Sequence, residues 1–550
     1  MKKLFAAAAF ALLLVSVSSA SAGGWTVPTG TKNTVVSPPV QGGGYPDPVG
    51  ATKPVPGTCG VQQFDSNHSE SWLAVQPGTE SIVGSSKFFV SKYSTFYNFY
   101  LGSYTIQASK PVAANQIQGY ECTTVGTQAM PPSWTNSTDP NVDFDTQGRV
   151  YQTMLPFNAY WAGGLHPNAA VDVSYSDDLG RHWVKGNGGQ DLEQSPNQNS
   201  VTFGHVEDKQ WIAVNHIVGN VNADHVYAMW TVFNGSGPSK IMVAVSRDRG
   251  QTFSKAVQLT EPSSTSPSNT YIYPSLGSDG TVYAAFVGGY DTNNKNRVGS
   301  VYVTWSHDDG VTWAPFVKAA TPIENPNGAF ANTSFRDGII ENFTASPTYP
   351  NHAYLTYESW DPAAGTSNVY FSQSTDGGVT WSDPALVNDD AATAASDQFQ
   401  PSVAAGNGGA VAVAFYDRRA SCPTDSTILA SHRGAANTCI DVSVQAYKDS
   451  GSGAVPIGAN VRGSSYSWDP DQPGQTVDGL SQYPCAGHTD PCPQGRGFIG
   501  DYFGLAISDG NVYTLSVSTH YRSSVQADDG SRVLYQQQVL ATIPRSSLGL

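Results

Sequence analysis

Charge is scarce in this chain, and positive charge is the scarcest part of it. Only 13% of the 550 residues are charged, and 28 Lys and Arg face 44 Asp and Glu, a formal charge of −16. Nucleic-acid binders and proteins that cling to anionic membranes need a positive field, so both classes are excluded. Long apolar runs are nearly absent too. One extends from Leu4 to Val17, and no other approaches the roughly 18 residues that a membrane span needs. Cysteine is limited to six residues, with no Cys-x-x-Cys pair and no Cys/His zinc spacing, which excludes a structural zinc module. No Gly-x-Ser-x-Gly, His-Glu-x-x-His, phosphate loop or dinucleotide fingerprint occurs.

What the chain has in quantity is turn formers and rings: 55 Gly, 35 Pro and 11% aromatics. Long helices favour Ala, Leu, Glu and Lys, so this composition points instead to many short strands joined by turns. With 12 Trp, 27 Tyr and 22 Phe the chain can bury a large core, which excludes disorder. The basic start Lys2-Lys3, the apolar run and the small residues Ala20-Ser21-Ala22 read as a secretory signal over residues 1–22, so the mature chain is expected to begin near Gly23. An exported chain with an even cysteine count is expected to hold disulfides. The shortest loops are Cys422–Cys439 and Cys485–Cys492, leaving Cys59 and Cys122.

A repeat sets the architecture. Ser176-Asp177-Asp178-Leu179-Gly180-Arg181-His182-Trp183 is matched by octapeptides starting at Ser246, Ser306 and Ser374, at spacings of 70, 60 and 68 residues. Each reads as Ser-x-Asp-x-Gly-x-x-aromatic and follows a strand-like run such as Val301-Tyr302-Val303-Thr304-Trp305. The Asp carboxylate can accept bonds from its own turn, Gly supplies a positive φ, and the aromatic packs beneath the sheet. Four near-identical copies cannot all sit at one active site, so these aspartates are read as fold elements. The octapeptides look like Asp boxes, and the chain resembles the sialidase-like (BNR-repeat) superfamily of β-propellers. That resemblance implies an all-β propeller and leaves the reaction open, because one fold hosts many activities.

A second repeat, Pro140-Asn141-Val142, Pro274-Ser275-Leu276 and Pro401-Ser402-Val403, gives the phase. With looser copies near Glu70, His205, Asp337 and Phe498 it predicts seven four-stranded blades; six remain if the Glu70 unit is an appendage. Residues 23–60 read as a flexible Gly/Pro-rich lead-in, residues 61–550 as the propeller, and residues 420–496 as a disulfide-containing insertion.

In such a blade the octapeptides lie at the third-to-fourth strand turn. A site is therefore sought on the opposite face, where second strands end and first strands begin. Those positions collect Tyr290-Asp291, Glu358 to Asp361, Tyr416 to Arg419, His520 to Arg522, His205, Tyr271, Tyr273, Phe335 to Asp337 and Gly500 to Tyr502. Arginine grips a carboxylate in two places, aromatics stack on pyranose faces, and carboxylates or Tyr act at an anomeric carbon. Sialidases use a Tyr assisted by Glu, an Asp acid/base and three Arg. The resemblance implies Tyr502 or Tyr521 as nucleophile, Glu358 or Glu341 as its partner, and Asp417 or Asp501 as acid/base. Arg336, Arg418 and Arg522 are the implied carboxylate ligands, with Arg419, Trp360 and Tyr273 completing the substrate-binding set. The chain departs from the pattern in having no Arg-Ile-Pro in its first blade; its first arginine, Arg149, lies in a strand repeat. Asp417-Arg418 and Asp501-Tyr502 have a second reading, as ion-paired locks between blades.

The expected function is an exported glycoside hydrolase acting on an acidic sugar or polysaccharide. A non-catalytic propeller that binds glycan or protein, and a polysaccharide lyase, stand beside it. No cofactor is required, although Asp469-Pro470-Asp471 with Asp478 offers oxygen ligands suited to calcium. A monomer, secreted or held at the cell surface or in the periplasm, is expected.

Overall fold

The computed structural model describes residues 25–37, 40–43, 59–64, 67–89, 99–116, 136–158, 168–195, 205–234, 239–259, 269–288, 299–326, 330–333, 335, 341–390, 396–472, 498–522 and 534–550. These form seven antiparallel sheets of four strands, one with an extra short strand, and a separate two-stranded hairpin. Helical structure among the described residues is limited to three single 3₁₀ turns. The innermost strands, in chain order, are His68–Val75, Asn136–Phe144, His205–Val214, Thr270–Leu276, Glu341–Ala345, Gln398–Gly406 and Gly504–Ile507. They define blades 1 to 7, and the last packs against the first, closing the ring. The Glu70 unit is a full blade, so the propeller has seven blades and not six.

Closure uses the N-terminal stretch. The chain ends with only three strands of blade 7, and its outer edge is filled by Lys32–Val35, which pairs Thr34 with Leu540. Part of the lead-in expected to be loose is therefore a structural strand. A barrel-like ring closed by the two chain ends has no free seam to splay. The segment read as an insertion is corrected likewise. Asp441–Asp449 and Ala454–Arg462 are the third and fourth strands of blade 6. What is added is the loop between the second and third strands, stapled by the Cys422–Cys439 disulfide. The other two cysteine pairings fall outside the described residues.

The four octapeptides close third-to-fourth strand turns as hydrogen-bonded units. In the blade 4 copy, Ser306 Oγ donates to Asp308 Oδ1 (2.8 Å), while Gly310 N donates to Ser306 Oγ (2.9 Å) and Thr312 N to Asp308 Oδ1 (2.8 Å). Gly310 sits at φ +80°, as the turn demands. These bonds, led by that from the Thr312 hydroxyl, hold the Asp308 carboxyl down at about 2. The aspartate is spent on its turn.

Inner strands expose one edge to the channel, and neighbouring blades cap it. Asn141 Oδ1 accepts from Ile212 N (3.0 Å), Asp143 Oδ2 from Val214 N (2.8 Å), Ser275 Oγ from Ala345 N (2.9 Å) and Asn342 Oδ1 from Val403 N (2.9 Å). Unpaired N–H groups in a buried channel would be costly, and these caps also lock each blade to the next.

Candidate functional site

Five innermost strands carry a β-bulge at the same level, on the face away from the octapeptides. The register shifts between Ser69 and Trp72, Thr138 and Asn141, Asp208 and Trp211, Thr270 and Tyr273, and Phe399 and Ser402. Each bulge places one non-glycine residue in the left-handed region: Glu70 (φ 51°), Asp139 (56°), Lys209 (52°), Tyr271 (54°) and Gln400 (45°). That conformation costs an L-residue about 1–2 kcal/mol, so five of them at one rim mark a place where side-chain direction outweighs backbone comfort. Blade 7 reaches the rim differently. Gly500, at φ +104°, lies so close to blade 1 that a Cβ there would meet Glu70 N at 2.5 Å, and this approach brings in Asp501.

The bulges of blades 1, 2 and 3 and the entry to blade 7 build one charged cluster. Lys209 Nζ lies 2.7 Å from Asp501 Oδ2 and 3.3 Å from Asp139 Oδ2. Lys87 Nζ, on the second strand of blade 1, lies 2.9 Å from Glu70 Oε2 and 4.2 Å above the Phe498 ring. Thr138 Oγ1 donates to Asp139 Oδ1 (2.7 Å) and stands 3.2 Å from Glu70 Oε2, so one hydroxyl links the two carboxyls. Glu70, Asp139 and Asp501 are all buried.

Their environments pull the carboxyls apart. Burial, aided by neighbouring Asp139, pushes the Glu70 carboxyl up to about 7 against the opposing pull of Lys87 and Lys209. Asp139 feels burial as well, but Lys209, Lys87 and the Thr138 hydroxyl outweigh it and hold this carboxyl below its ordinary value. Burial raises Asp208, at the same rim, to about 6. Burial works against the Lys209 ammonium, yet Asp139, Asp501 and Asp208 hold its proton firmly. One cluster thus contains a carboxyl that keeps its proton near neutrality and a carboxylate that does not.

Beneath the charges an aromatic plug closes the channel. Trp211 stands edge-on to Trp72 (4.6 Å between centroids), Tyr273 (4.7 Å) and Tyr502 (5.0 Å). On the octapeptide side of the plug the channel opens into a cavity of about 530 Å³, lined by Trp72, Trp211 and Tyr273 at its floor and by Asp143, Asn342 and Val403 on its walls.

Of the residues expected from sequence, Asp501, Tyr502, Tyr273 and Tyr271 meet at the axis. Tyr502 does not have the surroundings of a nucleophile. Its hydroxyl donates to Pro140 O (3.0 Å), and burial together with Glu70 and Asp139 pushes the phenol well above its ordinary value. It is a wall of the plug. Glu341 begins the inner strand of blade 5; burial, aided by this carboxyl, pushes the Tyr273 phenol well above its ordinary value. Neither Glu341 oxygen has a hydrogen-bond partner among the described residues, and burial keeps the carboxyl well above its usual range. Glu358 lies one strand out, accepting from Gln400 N (3.2 Å).

The arginines do not converge there. Arg418 is buried in blade 6, with Nη1 on Asp397 (3.0 Å) and Nη2 donating to the carbonyls of Ala331 and Asn437. Arg419 is tied to Asp417 (2.6 Å) and Asp389 (2.7 Å), and the second Asp417 oxygen accepts from Arg419 N and Gln398 Nε2. Asp417, Arg418 and Arg419 are thus engaged within blade 6 and with the linking segments at Ala331 and Asp389 packed on it. Arg522 reaches Ser426 Oγ (3.2 Å) from an exposed position, and Tyr521 packs against His520 and Tyr466, away from the axis. Trp360 is the last residue but one of the second strand of blade 5, Ala353–Asp361, its backbone N bonded to Ile323 O (2.8 Å). Arg336, Tyr290 and Asp291 lie outside the described residues, as does the side chain of His205. Asp469, read as a calcium ligand, accepts from Leu429 N (3.0 Å) and faces His432 Nδ1 (3.0 Å); Asp478 lies outside the described residues. No group of three or more His, Cys, Asp or Glu suited to a metal occurs among the described residues.

Sequence reasoning missed Glu70, Asp139, Lys209 and Lys87. A signal was present: Glu70-Ser71-Trp72, Asp139-Pro140-Asn141, Lys209-Gln210-Trp211, Tyr271-Ile272-Tyr273 and Gln400-Pro401-Ser402 occupy equivalent places. The Pro274 copy used to set the phase is two residues out of step with Pro140 and Pro401 in this register, which hides the equivalence.

Fold and rim together define a seven-bladed propeller with an ion-paired carboxyl cluster on its axis. No family model matches the chain, and no curated protein matches it. Among solved structures, the Hadza microbial sialidase Hz136 is 14% identical over 84% of this chain and 76% of its own, with a TM-score of 0.39. The polysaccharide lyase Uly1 is 10% identical over 93% of this chain and 99% of its own, with a TM-score of 0.43. The α-L-arabinofuranosidase Arb93A from Fusarium graminearum is 9% identical, covering 78% and 99%, with a TM-score of 0.39. Likenesses this distant carry no argument about the reaction.

Proposed function

We propose that the chain is an exported glycan-acting propeller, a glycoside hydrolase whose reacting carboxyls are Glu70 and Asp139. The observation that carries this reading is their juxtaposition: the Thr138 hydroxyl stands 2.7 Å from Asp139 Oδ1 and 3.2 Å from Glu70 Oε2, and within that cluster burial pushes the Glu70 carboxyl up to about 7 while Lys209 and Lys87 hold Asp139 below its ordinary value. Cleavage of a glycosidic bond needs such a pair. Glu70 donates its proton to the departing glycosidic oxygen, and Asp139 stabilises or attacks the positive anomeric centre, or deprotonates the water that does. Lys209 and Lys87 hold the two carboxyls in place, and the aromatic plug beneath excludes water from the far side of the channel. The signal-like N-terminus and the Cys422–Cys439 disulfide support an oxidising, extracytoplasmic setting. No helix among the described residues is long and apolar enough to cross a membrane.

A second reading, a glycan binder without catalysis, is favoured by one feature: Glu70, Asp139 and Asp501 are each already paired with an ammonium group. Incubation with a panel of oligosaccharides separates the two. New reducing ends that vanish in Glu70→Gln and Asp139→Asn, with the fold retained by circular dichroism, support the hydrolase. Binding with no new reducing end supports the binder, and ultraviolet-absorbing products would mark a lyase.

A further inference from the structure

The channel cavity on the octapeptide side of the plug takes no part in the chemistry of the opposite rim. At about 530 Å³ it lies within the roughly 300–1,000 Å³ usual for sites that hold small organic molecules. The seven turns that join first to second strands frame its mouth, and all of them belong to the described residues.

One residue in the cavity is out of keeping with the frame. Four residues beyond the bulges of blades 1, 3, 4 and 6 stand Ala74, Ala213, Ser275 and Ala404; the same step in blade 2 reaches Asp143. All five line the cavity. Asp143 caps Val214 N, but at the equivalent place Ser275 caps Ala345 N with an uncharged hydroxyl, and the three alanines have no side-chain cap to offer. The frame therefore needs no charge at this level, and a carboxylate drawn out of water is costly without a partner. The Asp143 side chain is 24% exposed, and His216 Nδ1 stands 3.9 Å from its Oδ1, beyond hydrogen-bond reach. Burial raises this carboxyl above its ordinary value against the opposing pull of His216, so a cation brought beside it would relieve an incompletely balanced charge.

The surroundings have the same bias. Asp509 stands at the mouth, and no Lys or Arg occurs among the described lining residues. Arg545, beside the mouth, donates to the carbonyls of Asn407 and Ser508 (3.1 Å each). The floor of Trp72, Trp211 and Tyr273 is apolar and electron-rich, a setting that attracts an alkylated ammonium.

We infer that this cavity binds a small organic cation, its ammonium group held by Asp143 and its apolar part against the Trp72, Trp211 and Tyr273 floor. The inference is independent of the reaction at the opposite rim.

Titration calorimetry of the full chain with choline and benzylamine, beside their uncharged counterparts neohexyl alcohol and benzyl alcohol, tests it. The expected result is that at least one amine binds at least about tenfold more tightly than its alcohol. Asp143→Asn should abolish that preference with circular dichroism unchanged, because an amide oxygen can still cap Val214 N as Asn141 Oδ1 caps Ile212 N. Should that variant fail to fold, His216→Lys, at a turn position with 42% of its side chain exposed, brings a competing ammonium to Asp143 and should weaken amine binding about tenfold. No binding of either amine at millimolar concentration, amine and alcohol bound equally, or an amine preference that survives these substitutions overturns the inference.

Discussion

The two faces of this propeller use repetition in opposite ways. On one face, four turns repeat both backbone and side chains: each has a Ser bonded to an Asp two residues on, and a left-handed Gly. On the other, five bulges repeat the backbone and vary the side chain through Glu70, Asp139, Lys209, Tyr271 and Gln400. Identical chemistry in successive blades builds the frame, because each blade solves the same turn in the same way. Different chemistry on an identical bulge builds a site, because five unlike groups are aimed at one axis.

Several substitutions can break or sharpen that contrast. The largest effect belongs to the varied face. Asp139→Asn should lower turnover per folded molecule about 10²–10⁴-fold, measured as reducing ends released and normalised to the folded fraction read by circular dichroism. Next comes a residue of the frame that resembled a ligand. Arg418→Ala strips Asp397 of its buried partner and should cost about 3–5 kcal/mol in a denaturant titration, with turnover per folded molecule unchanged. Loss of turnover at full stability would instead return Arg418 to the site.

A pH effect of intermediate size follows from Glu70. Its folded carboxyl is raised to about 7 from an ordinary 4.5, so the folded state binds more protons than the unfolded state between those values. Stability contributed by this group is fully present below about 4.5 and is lost as pH rises through about 7. Glu70→Gln should flatten the slope of thermal midpoint against pH in that window. In the active enzyme, turnover should fall through the same window as the acid loses its proton. The smallest effect lies on the repeated face. Asp308→Ala removes the acceptor of its turn and should cost about 1 kcal/mol, with activity intact.

The frame was legible because its signals are local. The octapeptides, the strand-like runs before them and the Gly and Pro punctuation each sit in a few consecutive residues, and counting them gives seven blades, or six without the Glu70 unit, which the structure shows to be a full blade. The outer strand of blade 7 was not legible in this way, since Lys32–Val35 says nothing locally of Gln537–Pro544, its partner at the far end of the chain. The site was half legible. Asp501, Tyr502 and Tyr273 were found because strand entries on one face were searched. Asp417, Arg418 and Arg419 were drawn in by the same search, although the lock they form lies between strands of blade 6 and the segments packed on it. Glu70, Asp139 and Lys209 escaped because a bulge inserts a residue, and the insertion shifts the phase by which repeats are compared.

Sequence alone determined that this chain is a ring of short antiparallel sheets with aspartate-stapled turns on one face, since turn chemistry and strand periodicity act over a handful of neighbouring residues. Only the tertiary structure decided which side chains share the axis. Residues from blades some 70 positions apart, and from the chain's far end, meet there, and the bulges that aim them are set by pairing with other strands.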